Sequence, residues 1–224
     1  MVAARSKPSN RRKSPGPAAP PISTEDRILD AALRIAARDG WRAAALARVA
    51  AEAEVGLPAL YALFPAKPAL LVGLLRRVDR TVLAGVTPAP SDGSPRDRLF
   101  DVVMRRFDAL QRDRSGLAAI VAAGIDPLGG LSLLGPFRRS MAWMLEAASI
   151  GSDGWAGRVR VAGLAVVYAR TFRVWLADDS ADLGKTMAAL DSGLAQAERW
   201  ASALPRGRCR AARKSDGRRS LGQI

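Results

Sequence analysis

Residues 46–75 read LARVAAEAEVGLPALYALFPAKPALLVGLL, and this stretch decides the fold. Two short helical patterns pivot on Gly56. A Tyr61-Ala62-Leu63-Phe64 step follows, then Pro65, Lys67 and a third apolar helix. Glycine and small residues at the pivot let two helices cross closely, as a helix-turn-helix requires. One more amphipathic pattern precedes them in TEDRILDAALRIAARDGW (24–41), where Ile28, Leu29, Ala32, Leu33, Ile35 and Ala36 recur at three- and four-residue spacing. Ser23 or Thr24 is placed to cap that helix, and Asp39-Gly40 to end it.

Working outward, the chain of 224 residues is 49% hydrophobic and 25% charged, enough to bury a core in one or two domains. Aromatics make up only 5%, and no Val/Ile/Thr-rich alternating run is present, so the expected class is all-α. The chain contains no histidine, which excludes every scheme built on an imidazole base or ligand. Its one cysteine, Cys209, lies in a basic tail, so no intrachain disulfide forms and a reducing compartment, the cytoplasm, is expected. Asp126, Glu146 and Asp178 are conceivable general acids. No paired carboxylates, activated nucleophile, cofactor motif or metal-ligand cluster accompanies them, and the chain does not read as an enzyme.

The net charge of +14 is concentrated at the ends. Arg5, Lys7, Arg11, Arg12 and Lys13 give the first tail +5, and residues 205–224 carry +6. Both tails, 1–22 and 204–224, are expected to be disordered and to draw the protein toward DNA or an anionic membrane surface. The first lacks the apolar core of a secretory signal. The apolar run 161–176 holds Arg170 and Arg173 and is shorter than the ~20 residues of a bilayer span.

About nine helices are expected. The first domain covers 23–85, with helix 2 over 45–53, helix 3 ending at Phe64 before Pro65, and helix 4 over 66–84. A Pro-rich linker, 86–95, leads to a second domain over 95–203, with helices at 95–112, 115–124, 136–149, 155–177 and 180–203. The segment DPLGGLSLLGP (126–136) reads as an irregular connector. Asp179 or Ser180 reads as the cap of the last helix, and three carboxylates in five residues there read as capping rather than metal binding.

Helix 8 is apolar around much of its circumference, which calls for two partners. Its Trp175 and Leu176, with Met187, Leu190 and Leu194 of helix 9, are the expected homodimer interface. Met141, Met144 and Leu145 facing Leu164, Tyr168 and Phe172 are the expected walls of a pocket for an elongated apolar ligand.

The helix-turn-helix resembles the N-terminal DNA-binding domain of the TetR family of bacterial regulators, with Val55, Leu60, Tyr61, Phe64 and Lys67 matching by position. The resemblance implies double-stranded DNA as partner, with Tyr61 and Lys67 gripping phosphates and Arg48 adding a backbone contact. It also implies that Ala45, Gly56, Leu57, Pro58, Ala59 and Ala62 occupy the DNA-facing positions. There the chain departs from the family, which favours polar side chains. Base-edge donors and acceptors are almost absent, leaving thymine-methyl contact through Leu57 or Ala59. A second resemblance, in RVWLADDSADLGKTMAALD (173–191), is to the ubiquinone-biosynthesis accessory proteins. They share a TetR-like fold and bind a prenyl lipid, and the match rests on Asp178, Asp179, Ser180, Asp182, Thr186, Leu190 and Asp191. The two resemblances imply one architecture: a three-helix DNA-binding unit followed by a helical dimerisation and ligand domain. The leading expectation is a homodimeric regulator responsive to an apolar ligand, and the alternative is a lipid carrier that no longer reads DNA.

Overall fold

The computed structural model describes residues 23–86, 93–124 and 127–203. The basic tails, most of the 86–95 linker, Asp126 and Cys209 lie outside the described residues, and the expectations placed on them stand as such. Among the described residues there are nine α-helices, two short 3-10 turns and no strand. The helices are α1 (Thr24–Asp39), α2 (Leu46–Glu52), α3 (Leu57–Leu63), α4 (Lys67–Ala84), α5 (Pro95–Leu110), α6 (Arg114–Ala122), α7 (Pro127–Ala147), α8 (Gly154–Leu176) and α9 (Gly184–Ala203). No single helix among them is long and apolar enough to cross a membrane.

Two compact units emerge, and they do not divide at the linker. The first takes residues up to Thr81 together with Ala109–Phe137; the second takes Val82–Asp108 and everything from Arg138. Residues 109–137, read from sequence as part of the second domain, therefore pack with the first. The reason is α6. Gly116 approaches α1 so closely that a Cβ there would sit 2.8 Å from the Leu33 carbonyl oxygen, and Ile120 joins the core of Ile28, Leu29, Leu33, Leu60, Phe64 and Leu70. Charge reinforces the packing. The buried Arg77 guanidinium of α4 donates from Nη1 to Asp30 Oδ1 (2.5 Å) and from Nη2 to Asp113 Oδ2 (2.7 Å).

The second unit is built on aromatic stacking. Phe107 and Tyr168 lie nearly parallel with centroids 5.3 Å apart, and Phe172 and Trp175 continue the row at 5.3 Å. Arg106, 1% exposed, donates from Nε to the Tyr168 hydroxyl at 3.2 Å.

Two expectations are corrected here. The segment 126–136 is not an irregular connector: from Pro127 onward it is the start of α7, with Pro136 inside the helix. Proline is tolerated in a helix's first turn, where Pro127 sits, and each glycine costs a helix about 1 kcal/mol without forbidding it. Residues 180–183 are not the start of the last helix, which begins at Gly184. Leu183 takes a left-handed conformation (φ 55°). The fully buried Asp178 organises this corner, accepting from Thr186 N (2.8 Å), Thr186 Oγ1 (2.7 Å) and Ser180 N (3.1 Å), and from the Ser180 hydroxyl. The Ser180 and Thr186 hydroxyls hold its carboxyl well below the usual carboxylate range.

Candidate nucleic-acid interface

The helix-turn-helix is assembled by α1. Ser23 caps that helix, its Oγ accepting from Asp26 N at 3.0 Å, and Gly40 ends it at φ 83°. The turn between α2 and α3 does not pivot on Gly56 as the sequence suggests. Gly56 is extended (φ −70°), a conformation open to any residue, whereas Glu54 carries the left-handed conformation at φ 53°. Arg27 of α1 holds this turn in place by donating from Nη2 to the Ala53 carbonyl (2.6 Å) and the Glu54 carbonyl (3.2 Å). A long-range hydrogen bond from another helix carries no sequence signal at the turn itself.

Helix α3 is anchored by one inward side chain. Leu60 is buried, and so is Phe64 at the C-cap, which lies against Gly73 of α4 where a Cβ would come within 2.5 Å of its ring. Every other residue of α3 faces solvent: Leu57, Pro58, Ala59, Tyr61, Ala62 and Leu63, with Leu57 at 56% and Tyr61 at 70% exposure. Gly56 and, at the start of α2, Ala45 are exposed beside them. The positions named from sequence are thus each exposed, apart from Lys67.

Lys67 is turned inward. Its Nζ donates to the Trp41 carbonyl at 2.5 Å and lies 4.5 Å from the centroid of the Trp41 ring. Burial lowers its pKa. In this arrangement the ammonium ties α4 to the 3-10 turn Trp41–Ala43 and is not presented as a phosphate clamp. Arg48 is exposed but paired with Asp39, which also accepts from Arg38 Nε at 3.0 Å. Hydrogen bonding from Arg38 lowers the Asp39 pKa. An exposed pair of this kind is weak, so a phosphate competes for Arg48 at small cost.

The second unit rearranges the sites read for it. Met141, Met144, Leu145, Leu164 and Tyr168 are all buried, with the Tyr168 hydroxyl occupied by Arg106. A groove of about 740 Å³ does exist, but its walls come mainly from α5, α8 and α9, with Leu145 of α7 and Ile150 of the loop that follows it. Of the residues expected to line a pocket, only Leu145 and Leu164 reach it; Met141, Met144, Tyr168 and Phe172 do not. Of the expected interface residues, Trp175, Leu190 and Leu194 belong to the unit's own core, and Leu176 and Met187 are half-buried. The large apolar side chains that α8 leaves exposed are Trp155, Val159 and Val166, at 65%, 46% and 52%; only the two valines line the groove, one heptad apart with Ala162 and Gly163 between them.

Comparison with known proteins places the first unit. Residues 28–74 match the family model of bacterial regulatory proteins, tetR family. The chain is 39% identical over 95 residues to the HTH-type transcriptional repressor KstR of Mycolicibacterium smegmatis, covering 39% of this chain and 43% of that protein. It is 36% identical over 88 residues to KstR of Rhodococcus jostii, covering 39% and 41%. The chain spans less than half the length of these curated relatives. Two solved structures share the fold over 78% of this chain. One is a TetR transcriptional regulator from Nitrosomonas europaea (TM-score 0.63, 24% identity, 98% of that chain). The other is a TetR regulator from Rhodococcus sp. RHA1 (TM-score 0.59, 21% identity, 94% of that chain). The segment carrying the helix-turn-helix matches the tetR model, and the all-helical fold is TetR-like.

Proposed function

We propose that this chain is a transcriptional regulator that binds double-stranded DNA as a homodimer, without catalysis. The observation that carries the reading is α3: a tetR-type second helix held by Leu60 alone, with all its other side chains offered to solvent. A helix so mounted fits the major groove, which admits an α-helix and displays the base edges. Tyr61 is the phosphate-facing candidate on this surface, and Arg48 becomes available when Asp39 releases it.

The second copy is assigned to the α8/α9 groove. Val159, Ala162, Gly163 and Val166 on α8, with Gly193 and Ala197 on α9, form a wall of small and branched side chains of the kind that packs against helices. With Met141, Met144 and Tyr168 sealed into the core, we read this groove as the seat of a second copy rather than of a ligand. Two helix-turn-helix units related by a twofold axis then address half-sites about one helical turn apart.

The test is titration of the full chain against fluorescent duplex DNA across a salt series. The reading expects log affinity to fall linearly with log salt, as counterion release demands, and Leu57→Asp to abolish binding while leaving the fold intact. Binding that is absent at low salt, or indifferent to Leu57→Asp, removes it.

A further inference from the structure

The exposed face of the helix-turn-helix has an unusual chemistry for a surface. Gly56, Leu57, Pro58, Ala59, Ala62 and Leu63 are exposed and carry no side-chain hydrogen-bonding group, and Ala47 and Ala51 of α2 are exposed as well. Leu57 is 56% exposed and Leu63 45%, side chains a seven-residue helix would ordinarily bury. The polar groups that border this face are largely committed elsewhere. Arg48 pairs with Asp39, Glu52 accepts from Arg34 and Arg38, and Lys67 is folded onto Trp41. Tyr61 alone projects a hydroxyl from α3.

In the major groove the four base pairs differ by donors, acceptors and one apolar group, the C5-methyl of thymine. A face without donors or acceptors cannot make the bidentate contacts that single out guanine or adenine. It can bury methyls. The small side chains at 56, 59 and 62 let the helix axis come near the base edges, and Leu57 supplies apolar area against which a methyl loses its water. Cytosine methylated at C5 presents the same group at the same place in the groove, so this surface has no means of telling it from thymine.

Resting on the DNA-binding reading above, we infer that α3 selects 5-methylpyrimidines, thymine or 5-methylcytosine, through methyl burial against Leu57, Ala59 and Ala62, which makes DNA binding responsive to cytosine methylation.

The experiment uses the full chain and a short duplex enriched from a random-sequence pool. Three versions are compared: the parent, one with thymines replaced by deoxyuridine, and one with cytosines replaced by 5-methylcytosine. Burial of one methyl is worth about 0.8 kcal/mol, so each contacted thymine converted to deoxyuridine should weaken binding about fourfold, and each contacted cytosine gaining a methyl should strengthen it comparably. Leu57→Ala, an exposed substitution that leaves Leu60 and Phe64 in place, should reduce both responses while keeping the salt dependence. Equal affinity for all three duplexes overturns the methyl inference and leaves the DNA-binding reading standing. Failure to bind any duplex at low salt overturns both. A methyl response that Leu57→Ala, Ala59→Gly and Ala62→Gly all leave unchanged assigns the effect to DNA stiffness and overturns the role given to α3.

Discussion

Lys67 donates its ammonium to the carbonyl of Trp41, 2.5 Å away, and lies over the indole of the same residue, with its centroid at 4.5 Å. One side chain at the start of α4 thereby fastens the turn that delivers the chain into α2. Its position in sequence suggests a phosphate ligand; its position in space makes it a strut.

Lys67→Met should therefore lower the unfolding free energy by about 1.5–3 kcal/mol, the range for a hydrogen bond to a charged group. DNA affinity should fall with it, but the slope of log affinity against log salt should stay the same. A phosphate contact would instead take about 0.9 from that slope. Urea unfolding and a salt titration of the same variant separate the two roles.

Gly116→Ala should destabilise the first unit by about 1–3 kcal/mol, because the new Cβ meets the Leu33 carbonyl oxygen at 2.8 Å and backbone cannot swing aside. Thermal melts of the variant beside the parent check this, and an unchanged or raised midpoint overturns it.

Val166→Glu should convert the protein to monomers with its fold retained, since the side chain is 52% exposed and faces the groove rather than the core. Sedimentation at micromolar concentration, followed by circular dichroism on the same sample, tests this. A dimer that survives Val166→Glu and Val159→Glu together moves the interface elsewhere.

The corner held by Asp178 should resist acid. Its carboxyl is lowered by the Ser180 and Thr186 hydroxyls, so its contribution to stability is complete above the ordinary carboxylate range and disappears only as the pH falls through its depressed folded value. Hydrogen exchange at the Thr186 amide, which Asp178 accepts, should stay protected down to pH 4. Asp178→Ala should expose that amide at every pH and lower the melting temperature.

The helical elements were legible because local periodicity carries them. The Ile28–Leu29–Leu33 stripe, Pro65 after Phe64, and Ser23 before two acidic residues each specify structure within a turn or two of themselves. Glycine-rich 126–136 misled for the complementary reason. Glycine and proline lower helix propensity without forbidding a helix, and tertiary context overrides propensity.

The candidate site divides along the same line. Helix spacing around Leu60 makes Pro58 and Ala62 the side chains opposite the buried leucine, with Ala59 and Tyr61 flanking them, but that Leu57, three residues before Leu60, is also exposed is not given by spacing. What Lys67 and Arg48 touch depended on Trp41 and Asp39, 26 and 9 residues away, and no local pattern encodes such partners. In the second unit, helix 8 reads as apolar around much of its circumference. Sequence could therefore establish that two partners were needed but not which residues met which. Folding assigned Tyr168 and Trp175 to the stack around Phe107, left Val159 and Val166 outside, and moved residues 109–137 into the first unit. Periodicity defines a helix's faces; only the packing of the other helices decides which face becomes core and which stays open.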